Sequence, residues 1–431
     1  MRSTNVKMKY SKIIISRRLL ILMLLIRFPV SILADPLFSN VVNVSADSIG
    51  YVLVVDKTHQ KMFMVKSNAP GALEVSKEYR VTTGRRNGDK EREGDLKTPE
   101  GIYYVNGRVP EGKLTPKYGP IAYTLDYPNF IDRLQNRRGS NIWIHGRNEA
   151  IKDFLTEGCV SLENGQILNL AKYVTINQTP VIILNDLSGY DVAGSDYQAT
   201  IEHWTNFTDG WAQSWDSGAI AAYISYYAPA FRDESGRNPK QYETYKSSLE
   251  ERYQWKTVSV DKVSVLVSDH ETHLKFRQRY LSPTFYSEGQ KQLILVPVGS
   301  GWKIVRETFK PTAPRLSTEE LLGQFLQSWE NAWEKMDIET YLAFYADDFV
   351  SGEYDLAGWR DYKTQVFQAS KEVSVERSAL KIETSEEQVW NVTFRQIYQA
   401  DGYRDAGLKT MVIKGFPGNM KIVREEWIEE N

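Results

Sequence analysis

The sequence predicts a mainly β domain followed by two α+β domains. Residues 49–187 consist of short runs of strand-forming residues separated by turn residues, with little helical periodicity. The rest of the chain contains an internal repeat, because Trp211 and Trp215 recur as Trp329 and Trp333, 118 positions later. Further segments recur at the same offset, and a period of this length is far too long for a solenoid. The repeat therefore indicates a duplicated domain.

The first domain is predicted strand by strand. Residues 51–55 and 61–65 are apolar and flank a turn at 56–60, which indicates a hairpin. Only residues 164–174 have the three-to-four spacing of a helix. The later predicted strands are 78–83, 102–105, 141–145 and 181–184.

Each repeat begins with an amphipathic helix and continues with alternating strands. Residues 258–263 and 272–280 of the first copy alternate between apolar and polar, as a half-buried strand does. Helices followed by antiparallel strands make an α+β domain. We place the copies at 195–310 and 316–431, with a linker at 311–314. The helical stripe of the first copy is formed by Trp211, Trp215, Ile220, Tyr223, Ile224 and Tyr227.

The N-terminal segment has the layout of a secretory signal peptide. Residues 1–18 carry six basic and no acidic side chains, an apolar run follows at 19–26, and Ala34 is a small residue at the cleavage point. The apolar run is too short to span a bilayer comfortably. We predict a signal peptide at 1–34, a linker at 35–48 and a periplasmic or otherwise extracytoplasmic mature chain. An uncleaved membrane anchor is the alternative.

The composition is that of an ordinary soluble protein. The chain has 431 residues, of which 42% are hydrophobic and 25% charged, and its formal net charge is −2. This is enough apolar material for several cores, without the basic excess of a nucleic-acid-binding protein. We therefore expect no nucleic-acid partner.

Cys159 is the only cysteine in the chain, so an intramolecular disulfide is impossible. A thiol attacks as the thiolate and needs a lowered pKa or a nearby base. His145 ends a predicted strand fourteen positions earlier. Gly146 and Gly158 allow close backbone approach and an amide directed at an oxyanion. The pattern predicts a nucleophile, with an inert buried cysteine as the alternative.

Four short segments of the sequence, which include the candidate histidine and cysteine, resemble those of a known family. They lie in order at 94–103, 127–129, 144–146 and 156–160. Together they resemble the L,D-transpeptidase catalytic domain, also called the YkuD domain, of bacterial cell-wall enzymes, over residues 49–187. The resemblance implies a β-sandwich-like fold and a Cys–His site that acts on peptidoglycan stem peptides.

The same resemblance implies a role for each site residue. Cys159 corresponds to the nucleophile and His145 to the general base, which the backbone carbonyl of Gly146 orients. The backbone amides of Gly158 and Cys159 correspond to the oxyanion donors. No metal and no cofactor are implied.

Three further positions are predicted to contact substrate, namely Thr156, Glu157 and Ser161. Two of them depart from the family pattern. Glu157 stands where histidine or a small polar residue is common, and Ser161 where asparagine or arginine is usual. We expect these departures to affect substrate positioning and the choice of acceptor.

The duplicated part resembles the nuclear transport factor 2-like, or SnoaL-like, fold, a curved sheet wrapped around helices to form a cone. A catalytic domain followed by such a domain is similar to the L,D-carboxypeptidases that set cell shape in helical bacteria. The presence of two such domains is a departure.

The resemblance implies acyl transfer through a Cys159 thioester, with release of terminal D-alanine from diaminopimelate. A second stem peptide or a lipoprotein amine would complete transpeptidation, and water would complete carboxypeptidation. The competing hypothesis is a catalytically degenerate, wall-binding scaffold that uses its two C-terminal domains.

Other candidate groups carry weaker patterns. His270 and His273 could suggest a metal, but a solvated loop entering a strand is favoured. His59 and His203 have no partner pattern. A basic loop is interpreted either as a contact for substrate carboxylates or, preferably, as a solvated surface. The loop contains Arg85, Arg86, Lys90 and Arg92.

Overall fold

The computed structural model describes residues 39–42, 50–69, 72–190 and 194–430. The predicted signal peptide, with its cleavage point after Ala34, and most of the predicted linker lie outside the described residues. Within the described ranges, no helix is long and apolar enough to cross a membrane.

The first domain, hereafter the β domain, is built on an eight-stranded sheet. Its elements, with the short strand β1 that precedes them, are β1 (Val41–Val42), β2 (Val52–Asp56), β3 (Lys61–Ala69), β4 (Ala72–Arg80), β5 (Gly101–Pro110), β6 (Ile121–Leu125), α1 (Phe130–Leu134), β7 (Trp143–Arg147), β8 (Val160–Glu163), α2 (Asn164–Leu170) and β9 (Pro180–Leu184). The strand order is β4-β3-β2-β9-β5-β6-β7-β8. The hairpin predicted at 51–65 corresponds to β2 and β3.

β2 and β9 lie side by side in parallel at the centre of the sheet, and every residue of both is buried. Leu53 and Ile183 face one apolar cluster, and Val54 and Ile182 face another on the opposite side. A strand that is covered on both faces needs apolar residues throughout rather than alternation. This explains the uninterrupted apolar runs in the sequence.

β5 divides the sheet into two halves. Its first residues pair with β9, and its later residues pair with β6 after a register shift between Val105 and Gly107. The strand thereby passes from one half to the other, as the predicted sandwich-like fold requires. β7 and β8, which carry the candidate site, lie in the second half.

The two repeats follow with matching elements. The first contains α3 (Gly194–Asp216), α4 (Ile220–Ser225), α5 (Pro239–Arg252), β10 (Thr257–Val267), β11 (Thr272–Leu281), β12 (Phe285–Val298) and β13 (Gly301–Pro311). The short strand β14 (Leu316–Ser317) pairs with β12. The second repeat contains α6 (Thr318–Glu334), α7 (Ile338–Leu342), β15 (Tyr345–Ser351), β16 (Tyr354–Asp355), α8 (Leu356–Ala369), β17 (Val373–Glu386), β18 (Val389–Ala400), β19 (Tyr403–Lys414) and β20 (Lys421–Glu429). In each, four long antiparallel strands form a sheet against which helices pack.

The single amphipathic helix predicted to open each repeat is two helices. Between α3 and α4, Gly218 has a φ of 71° and its amide donates to Trp215 O over 3.2 Å. A left-handed residue at this place ends a helix. Met336 breaks the second repeat at the equivalent position, with a φ of 53°. The predicted apolar stripe is buried as expected, with Trp211 and Trp329 fully inaccessible.

Both repeats bury the same hydrogen-bonded network. In the first, Trp211 Nε1 donates to Tyr227 OH over 3.2 Å, and Tyr227 OH donates to Glu307 Oε2 over 2.8 Å. Lys291 Nζ lies 3.0 Å from Glu307 Oε1. The second network joins Trp329 to Tyr345 (2.9 Å), Tyr345 to Glu425 (2.8 Å) and Lys409 to Glu425 (2.7 Å). The sequence repeat therefore corresponds to a repeated, buried hydrogen-bonded network.

The first repeat docks on the β domain through the outer face of its sheet. Glu271, just before β11, is buried, and its Oε1 accepts from the Ile102 amide over 2.8 Å. Its Oε2 lies 2.8 Å from His273 Nε2, and the His273 ring stacks on Tyr104. The prediction that His273 lies in a solvated loop is wrong, because it is a strand residue that is only 4% exposed.

Candidate active site

The candidate site lies where β7 and β8 run side by side in parallel. His145 is opposite Ser161 in this register, and Cys159 immediately precedes β8. Alternate residues of a strand point to the same face, so these three residues share one face of the strand pair. Strand pairing thus brings the predicted base and the predicted nucleophile to one side of the sheet.

His145 is buried and held by its own strand. Its Nδ1 lies 2.6 Å from the carbonyl oxygen of Gly146, and Ser161 Oγ lies 3.5 Å from the same nitrogen. A carbonyl only accepts, so Nδ1 carries the proton and Nε2 is left as the basic nitrogen. Burial lowers the pKa of His145 to about 4, although the Gly146 carbonyl opposes this effect. The imidazole is therefore neutral at physiological pH.

Cys159 is half-buried, and its Sγ lies 3.5 Å from the carbonyl oxygen of Asn141. No hydrogen bond joins the thiol to His145, both of which belong to the described part of the chain. Burial raises the pKa of the Cys159 thiol to about 11, and the Trp143 amide and Lys117 oppose this effect. The resting site therefore holds a neutral thiol beside a neutral imidazole.

Thr156 and Gly158 shape the turn that presents the thiol. Thr156 Oγ1 donates to the carbonyl oxygen of Cys159 over 2.7 Å and accepts from the Gly158 amide over 3.1 Å. Gly158 has a φ of 138°, and a Cβ there would lie 2.8 Å from Lys97 O. Only glycine fits this backbone without strain. The Gly158 amide already donates to Thr156 Oγ1. To donate to an oxyanion as well, it must share this hydrogen bond between the two acceptors.

The three residues that are predicted to contact substrate differ in their exposure to solvent. Glu157 is exposed beside the thiol, whereas Ser161 is fully buried and Thr156 is 9% exposed. The Thr156 hydroxyl bonds within the thiol turn, and the Ser161 hydroxyl lies beside the imidazole. Contact with substrate stays a prediction for all three positions.

The basic loop beside the site is organised around Asp95. The Lys90 ammonium is buried and lies 2.6 Å from Asp95 Oδ1, so the solvated interpretation is wrong for Lys90. Asp95 also accepts from the amides of Glu91 and Arg92. Burial would raise the pKa of Asp95, but these hydrogen bonds outweigh it and lower the pKa to about 2. The carboxylate thus fixes the loop.

Two groups in the described residues bring three potential metal-binding atoms within 4.8 Å, namely Asp56, His59 and Asp186, and Asp89, Glu100 and His270. In the first, His59 Nδ1 lies 2.8 Å from Asp56 Oδ2. In the second, Lys57 lies 2.6 Å from Glu100 and Arg137 pairs with Asp89. Because cationic side chains already neutralise the second group, it is poorly suited to a cation.

Sequence reasoning missed the turn that covers His145. Lys117 and Tyr118 lie in the turn Pro116–Tyr118, and the Tyr118 ring packs against the imidazole. The turn is more than twenty positions from His145 and has no periodic pattern. The only signal in the sequence is its position between Pro116 and Gly119, which marks a turn but not its place in the fold.

Comparison with known families finds matches in three segments of the chain. Residues 50–183 match the L,D-transpeptidase catalytic domain. Residues 204–308 and 321–426 each match the Cds6 C-terminal NTF2-like domain. The described fold of the two repeats, with helices packed on antiparallel sheets, agrees with this assignment.

One similar curated protein is the "Putative L,D-transpeptidase YafK" of Escherichia coli K12, which is 29% identical over 131 residues. The match covers 29% of this chain and 48% of that protein. The chain therefore spans about half the length of this relative.

Two solved structures are also similar. Bd1075 of Bdellovibrio bacteriovorus is 28% identical with a TM-score of 0.58, covering 65% of this chain and 98% of that one. The helical cell shape determining protein Pgp2 of Campylobacter jejuni is 24% identical with a TM-score of 0.48, covering 60% of this chain and 91% of that one.

Proposed function

Since residues 50–183 match the L,D-transpeptidase catalytic domain and are followed by two matches to the Cds6 C-terminal NTF2-like domain, we propose that the protein modifies peptidoglycan by cysteine acyl transfer. The substrate is the stem tetrapeptide, and the bond attacked joins diaminopimelate to the terminal D-alanine. The observation that carries the proposal is the pairing of β7 with β8, which sets His145 and Cys159 on one face.

His145 acts as the general base and Cys159 as the nucleophile. The Gly146 carbonyl, 2.6 Å from Nδ1, keeps Nε2 free of a proton. As the substrate binds, Nε2 takes the thiol proton and Sγ attacks the carbonyl carbon of diaminopimelate. The negative charge then develops on the carbonyl oxygen, where the amides of Cys159 and Gly158 can donate to it.

Collapse of this intermediate breaks the bond to D-alanine. His145 returns its proton to the departing amine, and a thioester remains on Cys159. Attack by water gives a tripeptide, and attack by an amine of a second stem peptide or of a lipoprotein gives a cross-link. In either case His145 accepts the proton of the attacking group, and the thiol is regenerated.

The test is digestion of tetrapeptide muropeptides by the purified protein and by its Cys159→Ala variant. Release of D-alanine by the wild type alone supports the enzyme. A tripeptide product identifies hydrolysis, and a linked dimer identifies transpeptidation. A matched control is Ser140→Ala, a change in an exposed hydroxyl near the site.

The competing function is a wall-binding scaffold without catalysis. It is favoured by one observation, the lack of a hydrogen bond between Cys159 and His145 in the described site. Failure of the wild type to release D-alanine, together with retained muropeptide binding, would select the scaffold.

We propose that the protein works outside the cytoplasm, where its substrate is found. The support is the signal-like segment at residues 1–34. N-terminal sequencing of the protein from cell fractions tests this point. A mature chain beginning at Asp35 supports secretion, and an intact Met1 in the membrane fraction supports an anchor.

A further inference from the structure

The turn Pro116–Tyr118 packs directly on the proposed base. The Tyr118 ring meets the His145 ring edge to face, with 4.9 Å between the centroids. Its centroid also lies 5.1 Å from that of Trp143. Tyr118 therefore closes one side of the imidazole.

Backbone contacts fix this turn in place. Asn148 Nδ2 donates to the carbonyl oxygen of Pro116 over 2.9 Å. Gly119 has a φ of 66°, and a Cβ there would lie 2.7 Å from the carbonyl carbon of Gly146. The turn thus rests on the residue that orients the base.

Lys117 is the middle residue of the turn, and it is exposed. Its ammonium lies 4.8 Å from the centroid of the Tyr118 ring. Among the residues that the structure describes, no carboxylate forms an ion pair with it. The turn therefore presents an unpaired positive charge beside the site.

The positive charge of Lys117 acts on both His145 and Cys159, the proposed catalytic pair. After burial, Lys117 is among the groups that shift the pKa of Cys159 and that of His145, in both cases downward. In return, the pKa of Lys117 is raised, first by Tyr118 and further by Glu157 and Cys159. The geometry agrees, because the turn that carries the Lys117 ammonium also packs its Tyr118 ring against the His145 imidazole.

Two other cations act on the pair, and both already have partners. Lys90 is buried 2.6 Å from Asp95, and Arg147 lies 2.7 Å from Glu149. Lys117 differs from them because its charge is available to a ligand.

We propose that Lys117 binds the free carboxylate of the terminal residue of the stem peptide. The inference rests on the proposed function and adds the group that recognises the chain end. In the leaving amino acid, the carboxylate is attached to the carbon that carries the scissile nitrogen. A cation on the turn that covers the proposed base is therefore in position to hold it by a charge-assisted hydrogen bond. The enzyme then selects stem peptides with a free C-terminus.

The experiment compares two substrates, the tetrapeptide ending in D-alanine and the same peptide ending in D-alaninamide. We expect the wild type to favour the free acid in kcat/KM by about ten- to a hundredfold, as a hydrogen bond to a charged group provides. Lys117→Met should lose this preference by reacting more slowly with the acid while its rate with the amide is kept. Lys117→Arg should restore part of the preference.

Lys113→Met is the matched control, because Lys113 is an exposed lysine on the preceding turn. It should leave the preference unchanged. A Lys117→Met variant that still favours the acid as the wild type does would overturn the inference alone, as would a wild type that cleaves both substrates equally. A wild type that cleaves neither would overturn the proposed function and this inference together.

Discussion

At the scale of single residues, burial decides the protonation of the site. The thiol of Cys159 and the imidazole of His145 are both neutral at rest, since burial raises the pKa of the first to about 11 and lowers that of the second to about 4. Deprotonation of the thiol is thus coupled to its attack rather than completed beforehand. This distinguishes the site from one that stores a thiolate–imidazolium pair.

The raised thiol pKa predicts slow alkylation of the folded enzyme. The rate of reaction with iodoacetamide should rise about tenfold for each pH unit up to pH 10, because only the thiolate reacts. Intact-mass spectrometry of samples quenched over time measures this rate. The same chain unfolded in urea is the control, and its rate should level off about two pH units lower. A plateau below pH 8 in the folded enzyme would contradict the neutral pair.

Gly158→Ala should damage the site through the backbone. The added Cβ would meet Lys97 O at 2.8 Å, at a φ of 138°. We expect a loss of about 1–3 kcal/mol in the free energy of unfolding and a large loss of acyl transfer. Thermal unfolding and thioester formation measure the two effects. Gly165→Ala, at a helical glycine with open space around it, is the control and should change neither.

Residue identities were predictable where the chemistry demands a rare residue type. Cys159, His145 and the adjoining glycines could be selected from spacing and family resemblance. The burial of Thr156 and Ser161 could not, because it depends on Thr82 and Thr83, which pair with the site from a distant part of the chain. Lys117 and Tyr118 were missed because only the fold brings their turn to His145.

At the scale of elements, one carboxylate joins two domains. Glu271 precedes β11 of the first repeat, yet its Oε1 caps the amide of Ile102 in β5. The same oxygen lies 3.4 Å from Asn129 Nδ2, and a Cβ on Gly101 would meet it at 2.7 Å. Two of the four sequence blocks of the β domain, 94–103 and 127–129, therefore contact the repeat, and the first of them also lies against the thiol turn through Lys97.

Glu271→Ala should separate the unfolding of the two domains. The change leaves His273 and the Ile102 amide buried without their partner, which costs about 2–4 kcal/mol. Differential scanning calorimetry should resolve a second transition at lower temperature. Glu376→Ala, at an exposed strand position, should leave the trace unchanged. A single unshifted transition in Glu271→Ala would show that the docking does not depend on this residue.

Helices and strands with a clear hydrophobic pattern were predictable from the sequence, but the residues at which they end were not. The hairpin of β2 and β3 follows from its turn, and the apolar stripe of the first repeat follows from its spacing. The break after α3 has a glycine as its signal. The equivalent break after α6 lies at Met336, whose φ of 53° has no signature in the sequence.

At the scale of the whole molecule, the two repeats each bury a glutamate that pairs with a lysine. Burial alone would raise the pKa of Glu307, but Lys291, Lys246 and two tyrosines outweigh it and lower the pKa to about 2. A carboxyl whose pKa falls on folding stabilises the protein above its ordinary pKa and loses this effect as the pH approaches 2. The first repeat should therefore lose stability between pH 5 and pH 2.

Glu307→Gln and Glu425→Gln form a matched pair. Each leaves a buried lysine without its carboxylate, so each should lower the free energy of unfolding by about 3 kcal/mol at pH 7. Glu307→Gln should also flatten the acid dependence of unfolding. Urea titrations at pH 7 and pH 4 measure both effects. Unequal losses at pH 7 would show that the two networks are not equivalent.

The order of the domains and the duplication could be predicted from the sequence, because the 118-residue offset is preserved across many residues. The docking of the first repeat on the β domain could not. Its contacts join residues such as Ile102 and Glu271, which are 169 positions apart. No periodicity within either segment indicates such a contact.

The outer face with which the first repeat docks differs in sequence from the corresponding face of the second repeat. Several buried positions are identical in both copies, as with Trp211 and Trp329, whereas some positions of the outer face differ. Glu271 and Lys310 in the first copy correspond to Val389 and Ile428 in the second, and Ile428 is 64% exposed. The second repeat therefore exposes an apolar side chain where the first repeat carries a lysine.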